Sequence, residues 1–309
     1  MSQVVLCPGQ GAQAPGMGRD FAERFPEARA VFDRADEALG FPLSATLFGG
    51  SDDEVNRTDV CQPGIFTVTA AIWTVLCERK RIDPTALRAA IGLSLGEYTA
   101  HWIAGTISFE DCVRLTRRRG EAMQAASDAC PSGMGAVLGL ERDGCEAVCA
   151  AVRAEGGTVV VANLNAPGQV VISGEKGALA RASERILAAG AKRVVPLKVA
   201  GAFHSPVMEP ARAALVEALA RVTLRDPRIP VISNVTASPV TTAAAARDTL
   251  ARQVVSPVLL ETSIRNVIAD GVRAFCEPGP GRTLAGFVRK IDREVAVANY
   301  DTADSAVAV

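Results

Sequence analysis

The segment AIGLSLGEYTA at residues 90–100 constrains the fold more than any other part of the sequence. An apolar run ends at Gly92 and a helix-like segment follows Gly96, so the pattern G-x-S-x-G sets Ser94 on a strand-to-helix turn. Small residues flank such a serine because strand and helix approach closely and the backbone is strained. The pattern predicts either a nucleophilic Ser94 or an ordinary glycine-rich turn.

Strand-like and helix-like segments alternate on both sides of this turn. Apolar runs predict strands at 4–9, 89–92, 229–236 and 271–281. Helical patterns occupy 20–40, 62–80 (starting after Pro63), 97–105, 109–127, 203–222, 242–253, 257–269 and 283–291. Strands separated by helical patterns indicate an α/β fold with a parallel sheet and crossover helices.

A different rhythm occupies the middle of the chain, between Pro131 and residue 199. Strands are predicted at 133–140, 158–165, 168–174 and 192–199, and helices at 143–154 and 176–190. The order β-α-β-β-α-β is that of a ferredoxin-like unit. We therefore expect a large domain made of residues 1–130 and 199–309, with residues 131–198 inserted as a ferredoxin-like α+β subdomain.

Composition excludes several functional classes. The net charge is −1, so there is no broad basic field to hold nucleic acid or an anionic membrane. We find no stretch that we judge long and apolar enough to cross a bilayer, and the start lacks the pattern of a signal peptide, so a cytoplasmic location is expected. The eight cysteines are scattered without a C-x-x-C motif, which favours structural thiols over a metal site.

A nucleophilic serine needs a base, and the chain has two histidines. His101 lies two helical turns after Ser94 and is directed away from it, which indicates a packing or surface role. His204 follows a predicted strand end, where site residues often lie, and is the candidate base by elimination. No acid stands at an obvious strand end between the two, which favours a Ser–His dyad oriented by a carbonyl or amide group.

Two further segments have the right chemistry for a site. The loop CPGQGAQAPGMG (7–18) carries Gln10 and Gln13, and a glutamine amide can donate to an oxyanion; the alternative is a simple tight turn. The run of arginines at 117–119 fans around a helix, so one or two of them can face a cleft. A guanidinium there would bind a carboxylate at two points.

Together these motifs resemble the malonyl-CoA:acyl carrier protein transacylases, stand-alone acyltransferases of bacterial fatty acid and polyketide synthesis. The matching segments are PGQGAQ (8–13), QPGIF (62–66), GLSLGEYTA (92–100), RRGEAM (118–123), NLNAPGQVVISG (163–174), GAFHSPVM (201–208), QVVSPV (253–258) and EPGPGRTL (277–284). They cover essentially the whole chain. The resemblance implies an α/β hydrolase-like core with an inserted ferredoxin-like subdomain.

The resemblance also implies roles for individual residues. Ser94 would be the acylated nucleophile and His204 its base. Gln13 and the Leu95 N–H would form the oxyanion hole, and Gln253 would orient His204 and shape the site.

The substrate-binding residues implied by the resemblance lie on three segments. Arg119 would pair with the malonyl carboxylate, and Phe203 matches the malonyl-selective version of its segment. Leu93 stands where the family often has histidine, which leaves the details of the acyl pocket open. Met123, in the matching RRGEAM segment, is placed with the substrate-binding residues.

The implied reaction is ping-pong transfer of malonyl from malonyl-CoA to the phosphopantetheine thiol of an acyl carrier protein through malonyl-Ser94. It implies no metal, no permanently bound cofactor, and a monomer whose partner is the carrier. Two alternatives remain from the residues alone. One is a serine esterase or thioesterase on the same turn, which lacks a well-placed triad acid. The other is a non-catalytic scaffold.

Overall fold

The computed structural model describes residues 3–307. The strands are β1 (Gln3–Cys7), β2 (Leu87–Gly92), β3 (Ser132–Leu138), β4 (Val159–Ala166), β5 (Gln169–Glu175), β6 (Arg193–Pro196), β7 (Val231–Ile232), β8 (Pro239–Val240), β9 (Ala274–Pro278) and β10 (Ala296–Tyr300). The α-helices are α1 (Arg19–Arg24), α2 (Pro26–Leu39), α3 (Leu43–Gly49), α4 (Asp52–Asn56), α5 (Thr58–Glu78), α6 (Gly96–Ile103), α7 (Phe109–Ala129), α8 (Arg142–Ala154), α9 (Lys176–Ala188), α10 (Glu209–Ala220), α11 (Ala243–Gln253), α12 (Leu260–Ala269), α13 (Thr283–Ile291) and α14 (Ala303–Val307).

The larger sheet has the strand order β10-β9-β1-β2-β7-β8. Every neighbouring pair is parallel except the short β7–β8 pair. The central strands β1 and β2 are almost wholly buried because helices cover both faces of the sheet, which is why they are apolar runs rather than alternating patterns. The predicted α/β hydrolase-like core with a parallel sheet is confirmed.

The second sheet is antiparallel, with the order β4-β5-β3-β6. Helices α8 and α9 pack against it, and their apolar side chains form a separate small core with those of the strands. Its elements lie between Ser132 and Pro196 and follow the predicted β-α-β-β-α-β order. The ferredoxin-like unit is therefore confirmed as a fold, while the domain boundaries at 131 and 198 stay a prediction.

Helix α5 begins at Thr58, so the prediction that it starts after Pro63 was wrong. A proline inside a helix leaves the carbonyl four residues earlier without its N–H donor. Here that carbonyl belongs to Asp59, and it accepts a hydrogen bond of 2.7 Å from Nη1 of Arg117. The neighbouring helix α7 thus replaces the missing donor.

The predicted helix at 20–40 is two helices, α1 and α2. Pro26 is the first residue of α2, and the residue before a proline is driven out of the helical region. Phe25 is accordingly extended, with φ −126° and ψ 112°.

Helix α5 also corrects the expectation about apolar segments. By length and composition it could cross a membrane, with a mean hydropathy of 1.6 over its most apolar window. In the structure 89% of that window is buried inside the protein, where α5 packs against α2 and α7. We therefore describe α5 as a core helix.

Candidate active site

The turn after β2 holds Ser94 in a strained conformation. Its φ is +53°, a left-handed value that non-glycine residues seldom adopt. A Cβ on Gly92 would lie 2.1 Å from the backbone nitrogen of Glu97, and one on Gly96 would lie 2.1 Å from the carbonyl oxygen of Cys7. Both positions require glycine because β1, β2 and α6 meet there, and this packing presents the Ser94 side chain beyond the end of the sheet.

His204 lies 110 residues away in the chain and meets Ser94 directly, with 2.7 Å between Nε2 and Oγ. Its Nδ1 lies 2.9 Å from the backbone carbonyl of Gln253. A carbonyl only accepts, so Nδ1 carries the proton and Nε2 offers a lone pair to the serine hydroxyl. Burial, together with the charge of Arg119, lowers the pKa of His204 to about 4, so the imidazole is neutral at neutral pH.

Arg119 is the buried member of the arginine run, at 1% exposure. Nη1 donates to Oε1 of Gln62 at 2.7 Å, and Nη2 donates to Oγ of Ser94 and to Oε1 of Gln253, both at 2.9 Å. These partners are neutral oxygens, and within residues 3–307 the guanidinium has no ion-pair partner. Burial lowers the pKa of Arg119, yet the guanidinium stays a cation at neutral pH.

Gln253, at the end of α11, forms hydrogen bonds with Ser94, His204 and Arg119. Its side-chain oxygen accepts from Arg119, its backbone carbonyl accepts from His204, and its Nε2 donates to the carbonyl of Ser94 at 2.9 Å. It is fully buried, so these bonds are shielded from water.

Three residues of this network were missed at the level of sequence. Gln62 lies in the QPGIF segment, Glu97 three residues after Ser94, and Asn234 at the end of a predicted strand. Asn234 accepts a hydrogen bond from the backbone N–H of Ser94 at 2.7 Å and donates to the carbonyl of Gly92 at 2.6 Å. The available signal was the polar tail of the strand predicted at 229–236. That strand ends as β7 at Ile232 because the chain turns towards the strand-to-helix turn of residues 92–96, which we call the elbow.

The two glutamines of the first loop occupy different surroundings. Gln13 is turned away from Ser94: its Nε2 donates to Oδ1 of Asn56 at 2.7 Å, and its Oε1 accepts from the N–H of Gly11 at 2.7 Å. The structure therefore does not bring Gln13 to the predicted oxyanion hole. Its side chain instead ties the loop to α4.

Gln10 is the glutamine that lies beside the site. Its Oε1 is 3.4 Å from Nε2 of Gln62, the residue that also holds Arg119. The loop touches the elbow itself, since a Cβ on Gly9 would lie 2.1 Å from the carbonyl oxygen of Leu93. The sequence motif PGQGAQ offered both glutamines and no means of choosing between them.

The backbone N–H of Leu95 is directed to no acceptor among residues 3–307, and the same holds for that of Gln10. Leu95 precedes α6, so its amide lies at the positive end of that helix. Free backbone donors beside a reactive hydroxyl are the groups that stabilise an oxyanion.

The remaining predicted residues line the apolar side of the site. Phe203 and Met123 belong to one buried cluster, and Met123 Sδ lies 3.5 Å from Nε2 of Gln62. Leu93 is half-buried, and it lines a cavity of about 80 Å³ together with the loop at 8–12 and Leu284. The structure thus sets Met123 beside Gln62, which bonds Arg119, keeps Phe203 in the same buried cluster as Met123, and sets Leu93 near Gln10.

An elbow serine that meets an imidazole above a parallel sheet defines a class, the α/β enzymes that handle acyl groups. Within that class the chain belongs to the family of the acyl transferase domain, whose model matches residues 4–304.

Similar proteins agree with this assignment. The chain is 41% identical to the malonyl CoA-acyl carrier protein transacylase of Bacillus subtilis over 311 residues, covering 99% of this chain and 97% of that one. It is 42% identical to the protein of the same name from Salmonella typhimurium over 288 residues, covering 93% and 92%. These matches confirm the family resemblance predicted from the motifs.

Solved structures show the same likeness in three dimensions. The acyl-carrier-protein-S-malonyltransferase of Bartonella henselae superposes with a TM-score of 0.95 at 37% identity, covering 99% of this chain and 97% of that one. A malonyl-transacylase solved in complex with its type II PKS acyl-carrier protein also gives 0.95, at 35% identity and with 99% and 98% covered.

Proposed function

We propose that this enzyme transfers a malonyl group from malonyl-CoA to the phosphopantetheine thiol of an acyl carrier protein, in fatty acid or polyketide synthesis. One observation carries the choice of acyl group: the buried Arg119 guanidinium lies 2.9 Å from Oγ of Ser94 and has no ion-pair partner in the described chain. A site with an unpaired buried cation favours a substrate that brings an anion.

In the first half-reaction Ser94 Oγ attacks the thioester carbonyl while His204 Nε2 takes its proton. The tetrahedral intermediate expels the thiolate of coenzyme A, which leaves with that proton as thiol, and malonyl-Ser94 remains. The 2.7 Å contact and the neutral imidazole support this step. In the second half-reaction the carrier thiol gives its proton to His204 Nε2 and attacks the ester carbonyl. The bond between Ser94 Oγ and the acyl carbon then breaks, Oγ takes the proton back from His204, and the malonyl group leaves as the carrier thioester.

We assign the oxyanion hole to backbone amides. The free N–H of Leu95 at the start of α6 is one donor, and the free N–H of Gln10 on the loop packed against the elbow is the other. We thus assign to Gln10 the place that the family resemblance implies for Gln13, whose side chain bonds Asn56.

We propose that Arg119 binds the malonyl carboxylate. In malonyl the carboxylate is separated from the thioester carbonyl by a single methylene, so a cation beside Oγ is within its reach. A two-point contact there would hold the ester carbonyl in the oxyanion hole and keep water out of line, which favours transfer over hydrolysis. Phe203 and Met123 supply the apolar wall of the pocket, and Leu93 borders it.

Mass spectrometry and product analysis test this function together. Incubation with malonyl-CoA is expected to give a malonyl adduct on the wild-type chain and none on Ser94→Ala, because the nucleophile is lost. Wild-type enzyme is expected to load carrier protein faster than it releases free malonate. A persistent adduct on Ser94→Ala would remove the nucleophile, and faster malonate release would identify a thioesterase instead.

Four further expectations rest on the family resemblance and remain proposals. They are a monomer, a cytoplasmic location, no permanently bound cofactor or metal, and the division of the chain at residues 131–198. Malonyl-CoA and the carrier would then be the partners that the site binds.

A further inference from the structure

A buried carboxylate lies behind the elbow, on the first turn of α6. Glu97 is 0% exposed, and burial raises its pKa to about 7. Its Oε2 accepts from Nε2 of Gln253 at 2.5 Å and from the backbone N–H of Asn234 at 3.3 Å, while Oε1 has no hydrogen-bond partner in the described chain. Burying a carboxylate is costly, so its presence here calls for a function.

The contact between Glu97 and Gln253 favours one orientation of the glutamine amide. A glutamine amide has an accepting oxygen and a donating nitrogen, whereas a carboxylate only accepts. Glu97 and the carbonyl of Ser94, which accepts from the same nitrogen at 2.9 Å, therefore hold the nitrogen end together, and the oxygen end is left to accept from Arg119 at 2.9 Å. With the amide reversed, the guanidinium would face an N–H donor instead of an acceptor.

The contact with Asn234 supports the other side of the site. Asn234 bonds the backbone of Ser94 and Gly92 through its side chain, and its own backbone N–H is held by Glu97. One carboxylate thus touches both the residue that directs Arg119 and the residue that supports the elbow. Glu97 itself makes no hydrogen bond to Ser94 Oγ, Arg119 or His204.

We propose that Glu97 is a positioning residue for acyl selection: through the amide of Gln253 it directs Arg119 at the carboxylate of the acyl group. Its second contact, through Asn234, keeps the elbow in register with that guanidinium. The inference rests on the proposed malonyl transfer and assigns to Glu97 no contact with substrate.

The test compares malonyl with acetyl transfer to carrier protein in variants of position 97. Glu97→Leu removes the acceptor at similar volume, and Glu97→Gln retains one acceptor oxygen. Loss of a buried hydrogen bond to a charged group is expected to lower the malonyl specificity constant about ten- to a hundredfold in Glu97→Leu and to lower the acetyl constant less. Glu97→Gln is expected to recover most of the malonyl preference.

Two further variants keep the test decisive. Should Glu97→Leu fail to fold, Glu97→Asp replaces it, because it keeps the charge but is one methylene too short to reach Gln253. Glu277→Gln is the matched control: Glu277 is also fully buried, but it bonds the backbone N–H groups of Leu284 and Ala285 at the start of α13. It is expected to keep the wild-type ratio of malonyl to acetyl transfer.

A double-mutant cycle examines the route through Gln253. In a Gln253→Ala background, replacing Glu97 is expected to change the malonyl-to-acetyl ratio by less than about threefold, since the two residues act as one unit. An unchanged ratio in Glu97→Leu or Glu97→Asp, equal losses in all variants of Glu97, or additive losses in the cycle would overturn the proposal. A wild-type chain that loads no carrier would instead overturn the proposed function.

Discussion

At the scale of single residues, Arg119 shows how the site is prepared for an anion. A cation withdrawn from water is destabilising unless charges or hydrogen bonds replace its hydration. Three neutral oxygens, from Gln62, Gln253 and Ser94, supply hydrogen bonds but no charge. The free site therefore favours any ligand that brings a carboxylate to the guanidinium.

Replacing this arginine tests the idea directly. Arg119→Ala is expected to lower malonyl transfer about ten- to a hundredfold more than acetyl transfer, since a charge-assisted two-point pair contributes about 1.5–3 kcal/mol. The measurement is the specificity constant for each acyl-CoA with the same carrier. Arg118→Ala, at the adjacent exposed position, is the control and should leave both constants near wild type. Equal losses for the two acyl groups would remove Arg119 from carboxylate binding.

At the scale of secondary structure, the packed helices α5 and α7 position Gln62 and Arg119. Gln62 lies on α5 and Arg119 on α7, and the helices approach so closely that a Cβ on Gly120 would lie 2.4 Å from the carbonyl oxygen of Thr58. Beside this contact Arg117 donates to the backbone carbonyl of Asp59, which receives no hydrogen bond from Pro63 because proline has no N–H. Arg117 also forms an ion pair with the Asp59 carboxylate.

The contact between α5 and α7 can be weakened without replacing a residue of the site. Arg117→Met is expected to lower the free energy of unfolding by about 1–3 kcal/mol, because a partly buried carbonyl loses its donor. Urea denaturation provides the measurement. Arg118→Met is the matched control, since Arg118 is 53% exposed and its ion pair at 3.8 Å is expected to contribute less than about 1 kcal/mol. Similar losses in the two variants would contradict the role given to Arg117.

The elements themselves were predictable to different degrees. Helix α13 has the predicted bounds and α11 differs by one residue, because amphipathic periodicity and a local cap or turn define both ends. The strand predicted at 229–236 shrinks to Val231–Ile232, since Asn234 leaves the sheet to bond the elbow. The edge strand β10 went unpredicted because its side chains are only half-buried and its pattern is weak.

At the scale of the whole molecule, the site lies where the two sheets meet. Strand β4 of the small sheet is joined to the large domain by hydrogen bonds between Leu164 and Val258 and between Val258 and Ala162. One apolar cluster contains Met123 and Phe203 of the large domain together with residues of β3 and β5. The apolar cluster beside the site is therefore built from both parts of the chain.

Burial of the two histidines makes the stability of the molecule depend on pH. His101 is wholly buried, and burial lowers its pKa from 6.5 to about 3. Between these values the unfolded chain binds a proton that the folded chain does not, so the free energy of unfolding falls as pH falls, by up to about 1.4 kcal/mol per pH unit. His204 acts in the same direction down to its pKa of about 4.

Urea denaturation from pH 6.5 to 4 separates the contribution of His101. His101→Gln is expected to show a shallower loss of stability than wild type over this range, since it removes one of the two groups. Glu97, whose raised pKa acts in the opposite direction above pH 4.5, is present in both proteins and cancels from the comparison. If the free energy of unfolding changed equally with pH in the two proteins, the lowered pKa assigned to His101 would be contradicted.

The sequence by itself determined the class of fold, the order of most of its elements and the candidates Ser94 and His204. These follow from hydrophobic periodicity, glycine spacing and the chemistry of side chains, all of which are local or depend on residue type. Residue type alone left open which of the arginines at 117–119 faces the site, and the family resemblance implied Arg119.

Only the tertiary structure decided which partners surround those residues. It placed Gln10 beside Gln62 and Gln13 on Asn56, and it brought Glu97 to Gln253 across 156 residues of sequence. The physical reason is that a hydrogen bond depends on distances of a few tenths of an ångström between chain segments, which packing sets and no periodic pattern encodes.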